Sequence, residues 1–231
     1  MCWSGEASFT LATVGFAGAY LSARYKHPTA RWLPLAYFSC MEALQGFTYM
    51  WIGKCGNDYN TVLTILSYIH IAFQPFFINM FALSFKPQAW KHWGMIASAC
   101  TLSTMVMLSM LMFPGFPANC SPPDQTICGA VTCSYHGNWH IAWMLQLSNL
   151  DPHYFSYIFV AFVVPLFYGA WRVVLYHALF GPLLMFLLSS NKDEQPAIWC
   201  LLSIGILLAT HIPAISNWLG DSKKEQEHVS V

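Results

Sequence analysis

The sequence predicts an all-α fold, a polytopic transmembrane bundle of seven spans, and three observations carry that prediction. Only 9% of the 231 residues are Asp, Glu, Lys or Arg, against roughly a quarter in soluble globular chains. Ala, Val, Ile, Leu, Met, Phe, Trp, Tyr and Cys make up 56%. Seven apolar runs approach the ~20 residues that a transmembrane helix needs, and the aromatic content suits the membrane boundary. A chain with so few charges cannot cover a water-facing surface, and at net charge zero it has no basic patch for nucleic acid. The partner implied is the lipid bilayer. A soluble enzyme, a disordered tail and a nucleic-acid binder are excluded.

The spans read in order as 7–23, 32–52, 59–85, 93–113, 154–168, 173–190 and 196–218. The first follows Met-Cys-Trp-Ser-Gly-Glu, lacks a basic n-region and reads as a span rather than a cleavable signal. Its residues Ser8, Ala12, Gly15, Ala19 and Ala23 give one small-residue face for close helix packing. Residues 154–190 carry a single formal charge, Arg172, and hold either two short tilted spans or one span and an interfacial helix. Charge asymmetry favours two. With seven spans, Arg24, Lys26, Arg31, Lys86, Lys91, Arg172, Lys223 and Lys224 lie on one side and only Lys54 and Lys192 on the other. If the sixth span did not cross, eight against two would become seven against three. The positive-inside rule then places the N-terminus outside and the C-terminus in the cytoplasm, in the cell (inner) membrane. No repeat or linker divides the chain. Residues 1–220 form one transmembrane domain with an outside loop at 114–153, and 221–231 are a short polar cytoplasmic tail.

The outside loop is long enough to need internal structure, and cysteines offer it. Cys2, Cys55, Cys120, Cys128, Cys133 and Cys200 fall on or near the oxidising side, the distribution of a disulfide-pinned cap. Six cysteines allow fifteen pairings. Cys128, Cys133, His136 and His140 also have zinc-like spacing, with His136 and His140 on one face if residues 135–146 are helical. Disulfides are the favoured reading, and the two histidines then sit on an amphipathic interfacial helix with Trp139 and Trp143. At Cys2, a disulfide to the cap competes with a chelating amine–thiol pair.

Ionisable groups inside spans suggest a site by default. Glu42 lies eleven residues from Arg31, ~16 Å deep, and His70 lies twelve residues from Asp58, ~18 Å from the other side. These are similar layers on sequential, opposite-running helices. Ser39, Glu42, Gln45 and Tyr49 form one polar stripe, and Ser67, His70 and Gln74 another, with Pro75 freeing the carbonyl of Ile71. The ligand-pocket candidates are Glu42, Gln45, His70 and Gln74. A hydrogen-bonded lock between the two spans is the structural alternative. Asn79, Arg172, His177 and His211 form a secondary inner cluster, for which snorkelling and interface hydrogen bonds are the simpler explanation.

The segments MCWSGEAS, MEALQGFTYM, LSYIHIAFQPFFIN, GNWHIAW, PLFYGAWR and PAIWCLLSIGI resemble an uncharacterised family of small polytopic membrane proteins, found mainly in bacteria. The resemblance spans most of the chain and implies integral membrane location. It draws attention to Cys2, Glu42, Gln45, His70, Gln74, Asn79, His140, Arg172, His177 and Cys200. Retinal proteins fit less well, because every Lys lies in a loop or tail. So do seven-span zinc hydrolases, because the last span offers only His211 and no predicted span contains Asp.

Three functions compete: binding or transport of a small or amphiphilic ligand around Glu42 and His70, an intramembrane enzyme that is acid–base or metal-dependent, and a structural or assembly protein. The first is preferred. No motif indicates a cofactor.

Overall fold

A computed structural model describes residues 3–112, 127–147, 152–202 and 204–220. Ser4 caps α1 (Gly5–Arg24), its hydroxyl accepting from the Ala7 amide. Asn57 caps α3 (Asp58–Leu83) through the Tyr59 amide. Each side chain satisfies an amide that a helix start leaves open. Between them runs α2 (Thr29–Tyr49), and α4 (Trp93–Met112) follows a 3-10 turn at Pro87–His92. The described chain is mostly helical, with helix in each apolar run. Three helical stretches, Asp58–Leu83, Pro87–Leu111 and Trp171–Leu188, are long and apolar enough to cross a membrane. Tyr154–Phe167 is a shorter apolar helix.

Small residues bring α1 and α2 together. A Cβ on Gly15 would meet Ser39 Oγ at 2.1 Å, and one on Gly46 would meet the Phe9 ring at 2.9 Å. The buried face of α1 is Ser8, Ala12, Gly15, Gly18, Ala19 and Ser22. Ala23, predicted on that face, is exposed, and Ser22 and Gly18 take its place. The face therefore drifts around the helix, as a 3.6-residue period dictates.

The later helices are interrupted. α5 (Pro152–Ile158) passes through a π-helical segment, Phe159–Val163, into α6 (Val164–Phe167). α7 (Trp171–Ala178) does the same through Leu179–Leu183 into α8 (Leu184–Leu188). Pro182 lies inside the second segment and has no amide to donate, so the regular ladder must break there. The last apolar run, predicted as one span, is three short helices: α9 (Gln195–Leu202), α10 (Gly205–His211) and α11 (Pro213–Leu219). Ile212 is extended before Pro213, because proline disfavours the helical region for the residue preceding it.

Residues 135–146, expected as a helix, instead contribute to a hairpin. β1 (Cys133–His136) pairs antiparallel with β2 (Ile141–Met144), Cys133 opposite Met144 and His136 opposite Ile141. Asn138-Trp139 forms the turn, closed by the Gly137 amide donating to the His140 carbonyl at 2.9 Å. Cys55–Cys133 fastens β1 to the α2–α3 connection. Buried Asn60 on α3 reads the strand as well: its Nδ2 donates to the Ser134 carbonyl at 2.8 Å and its Oδ1 accepts from the Ser134 amide at 2.9 Å. Trp143 fills the space beneath, in one core with Leu35, Phe38, Met41 and Tyr68.

The hairpin sits where the start of α1, the end of α2, the start of α3 and the α8–α9 connection meet. At the opposite end, Arg172 Nη1 donates to the carbonyls of Trp218 (3.2 Å) and Gly220 (2.9 Å), and Arg31 donates to Ser216 Oγ at 3.3 Å. Residues 221–231, expected as a polar tail, lie outside the described residues.

Candidate functional site

A buried polar column descends from the hairpin into the bundle. Its top is His140, which the Gly137 turn delivers to the end of α2. Tyr49 and Gln45 lie one helical turn apart there and grip the imidazole from both sides. Gln45 Oε1 accepts from Nε2 at 2.8 Å, so Nδ1 is the acceptor for the Tyr49 hydroxyl at 2.7 Å. Burial pushes the His140 pKa down to about 3, so the ring is neutral. Trp3 packs over it, with ring centroids 5.8 Å apart.

The α8–α9 connection holds this cap in place through two acids that the sequence did not single out. Glu194 is fully buried; its Oε1 accepts from the amides of Trp139 and His140, and its Oε2 from Ser189 Oγ at 2.7 Å. Asp193 accepts from the Ile127 amide and the Tyr135 hydroxyl, both at 2.8 Å. Burial, then Asp193, raises the Tyr135 phenol to about 12. In sequence, Lys192-Asp193-Glu194 looks like any charged loop. The only available signal was two adjacent carboxylates in a connection too short to solvate both.

Below Gln45, whose Nε2 reaches the Ala197 carbonyl at 3.5 Å, lies Glu42. Glu42 is 0% exposed, and neither carboxylate oxygen has a hydrogen-bond partner among the described residues. It lies within electrostatic range of Tyr49 and Cys200. The Cys200 thiol accepts from Gln74 Nε2 at 3.1 Å, and Gln74 Oε1 accepts from the Tyr157 hydroxyl at 2.7 Å. Gln74, Tyr157 and Cys200 form the polar corner of a cleft of about 50 Å³, otherwise walled by apolar side chains such as Ile71, Met107 and Trp199.

No hydrogen bond joins Glu42 to His70. His70 Nε2 faces the Tyr37 carbonyl at 2.8 Å, and the rings of Tyr37 and His70 stack at 3.9 Å. Tyr37 is five residues before Glu42, about 140° around α2 at 100° per residue. Equal depth was therefore accompanied by different faces. The structure brings Glu42, Gln45 and Gln74 toward α9 and leaves His70 in a separate contact.

The inner cluster also separates. Asn79 Nδ2 donates to the Val160 carbonyl at 3.0 Å, inside the first π-helical segment, and Oδ1 accepts from the Tyr168 hydroxyl at 2.9 Å. Arg172 caps the final helix, and His177 accepts from Trp199 Nε1 at 3.1 Å. His211 belongs to α10, near His27.

The cysteine predictions divide. Cys55–Cys133 is a disulfide, and Cys128 is disulfide-bonded too. Cys2 and Cys120 lie outside the described residues. Cys200 is not in a disulfide: its buried thiol is hydrogen-bonded to Gln74 within the bundle. At the residues of the zinc alternative, Cys128, Cys133, His136 and His140, both thiols are oxidised and both His140 nitrogens are engaged.

Residues 6–219 match the model of a family described as "Family of unknown function (DUF5765)". No curated protein and no solved structure matches the chain.

Proposed function

The chain belongs to this family of unknown function, and we propose that it is a seven-span integral membrane protein that binds or transports a small amphiphilic ligand beside Glu42. The observation that carries the reading is the buried Glu42 carboxyl without a hydrogen-bond partner among the described residues, one helical turn from Gln45 and within electrostatic range of Cys200. A buried carboxyl without a partner is costly, and a ligand head bearing hydrogen-bond donors or positive charge would relieve that cost. The Gln74–Tyr157–Cys200 corner would take the rest of the head, and Ile71, Met107 and Trp199 its apolar body.

The membrane reading is supported by the three long apolar helices. Support also comes from the collection of Arg31 and Arg172 at the end opposite the disulfide-bonded hairpin. On that reading the hairpin caps the site from outside, and the basic end faces the cytoplasm of a cell (inner) membrane. Native mass spectrometry of protein released gently from its membrane tests the binding claim. A retained amphiphile with a donor-bearing head is expected, and a protein that emerges bare contradicts it.

A purely structural role is the second reading, favoured by the Tyr37–His70 contact, which ties α2 to α3 without a ligand. An acid–base enzyme pairing Glu42 with His70 draws no support from this geometry.

A further inference from the structure

We propose a second ligand site, at His177, for a flat apolar molecule that carries a carbonyl oxygen. An indole N–H only donates, so the Trp199 Nε1 contact at 3.1 Å fixes His177 Nε2 as the unprotonated nitrogen. The proton of the neutral ring is then on Nδ1. That nitrogen is buried and has no hydrogen-bond partner among the described residues. An imidazole N–H held inside apolar surroundings calls for a lone pair, and a carbonyl oxygen supplies one without bringing a charge.

The surroundings define the rest of the ligand. His177 lines a cleft of about 30 Å³ between α2, α3, α7 and α10, with Phe38, Phe81, Tyr176 and Phe180 among its walls. This volume admits little more than the carbonyl oxygen, so the ring would lie against the aromatic side chains that wall the cleft. Phe162 stacks on the imidazole at 4.8 Å and 10°, and the Tyr176 hydroxyl donates to the Gly205 carbonyl at 2.6 Å, tying α7 to α10. Aromatic walls of this kind favour a ring over a branched chain. None of the residues lining this cleft lines the one with Gln74, Tyr157 and Cys200; Trp199 links the two, walling that cleft and bonding to His177.

Both π-helical segments serve this place. The first, Phe159–Val163, carries Phe162. The second, Leu179–Leu183, follows His177 directly and carries Gly181, where an added Cβ would meet Trp199 Nε1 at 2.6 Å. Gly181 is thus the residue that lets the indole reach the imidazole. π-Helical bulges occur frequently at functional sites.

The test uses the full chain in nanodiscs of ether-linked lipid, which removes ester carbonyls from the bilayer. The probes are decylbenzoquinone and decylbenzene, which lacks oxygen, and binding is followed by thermal shift across a concentration series. Wild type should bind the quinone at least tenfold more tightly than decylbenzene. His177→Phe keeps an aromatic ring, removes the donor and should lose about tenfold in quinone affinity. Trp199→Phe supplies an independent check if His177→Phe fails to fold. In the wild type the fixed Nδ1–H should also favour decylbenzoquinone over its hydroquinone, a third probe; with the indole gone, Nε2 can carry the proton, Nδ1 can accept, and that preference should collapse. Equal binding of the two probes, or quinone affinity unchanged in both variants, overturns the site. Displacement of the quinone by an ester phospholipid at equimolar amount overturns the assignment to a ring and transfers the carbonyl to a lipid.

Discussion

Tyr37 and His70 bond to each other's backbone. The Tyr37 hydroxyl donates to the His70 carbonyl at 2.6 Å, and His70 Nε2 meets the Tyr37 carbonyl at 2.8 Å. The His70 carbonyl lies one turn before Gln74 and within a helix that already contains Pro75, so α3 has irregular hydrogen bonding on this stretch. The pair is a lock between α2 and α3. It occupies the histidine that equal depth had assigned to Glu42.

Tyr37→Phe should lower stability by about 1–3 kcal/mol, the usual range for leaving a buried polar group unsatisfied, and leave ligand retention unchanged. Unfolding midpoints in mixed micelles measure the first and native mass spectrometry the second. Loss of ligand without loss of stability would show that the lock belongs to the site.

The cap should respond to acid through His140. Its folded pKa, about 3, lies below the unfolded 6.5. Between these values the unfolded chain binds more protons than the folded one. Stability is therefore complete above pH 6.5 and falls as pH drops toward 3, with a slope on the order of 1 kcal/mol per pH unit. His140→Gln should flatten that slope in pH-dependent unfolding. An unchanged slope would place the acid sensitivity elsewhere.

Much of the framework was legible because apolar composition points to it: among the described residues helix occurs in every apolar run, and Gly15 lies where α1 packs against Ser39 of α2. The hairpin was misread because the apolar residues from Tyr135 to Met144 fit a helical period as well as a strand alternation. The turn from Gly137 to His140, with Cys133 fixed to Cys55, decides the matter in space. The candidate site was half legible. Glu42, Gln45 and Gln74 could be named because polar groups in apolar runs stand out. Their pairings could not, since His140, Tyr157 and Cys200 arrive from distant segments. The π-helical segments had Pro165 and Pro182 as local signs.

Cys55→Ser should destabilise the cap by the ~2–4 kcal/mol typical of a lost disulfide, and tryptophan fluorescence should report earlier release of the hairpin than of the helices. Coincident melting of both would mean that the disulfide holds the whole bundle.

Cys200 should resist maleimide in the folded protein and react after denaturation, because its thiol is buried against Gln74. Gln74→Ala removes that donor and opens the cleft, and should speed labelling at least tenfold. Rapid labelling of the wild type would contradict the burial on which the cleft depends.

The proposed seven spans would place the termini on opposite sides, so protease-accessible tags at residues 1 and 231 should be cleaved from opposite faces of sealed vesicles. Cleavage of both from one face would remove a crossing.

The central claim is that Glu42 contacts a ligand and His70 does not. Native mass spectrometry of wild type, Glu42→Gln and His70→Gln, each first checked for monodisperse folding, tests it most directly. The account predicts that the amphiphile carried by wild type is lost at least tenfold in Glu42→Gln and kept in His70→Gln, whose only deficit is stability. Equal retention in all three, or loss in His70→Gln with retention in Glu42→Gln, would contradict it.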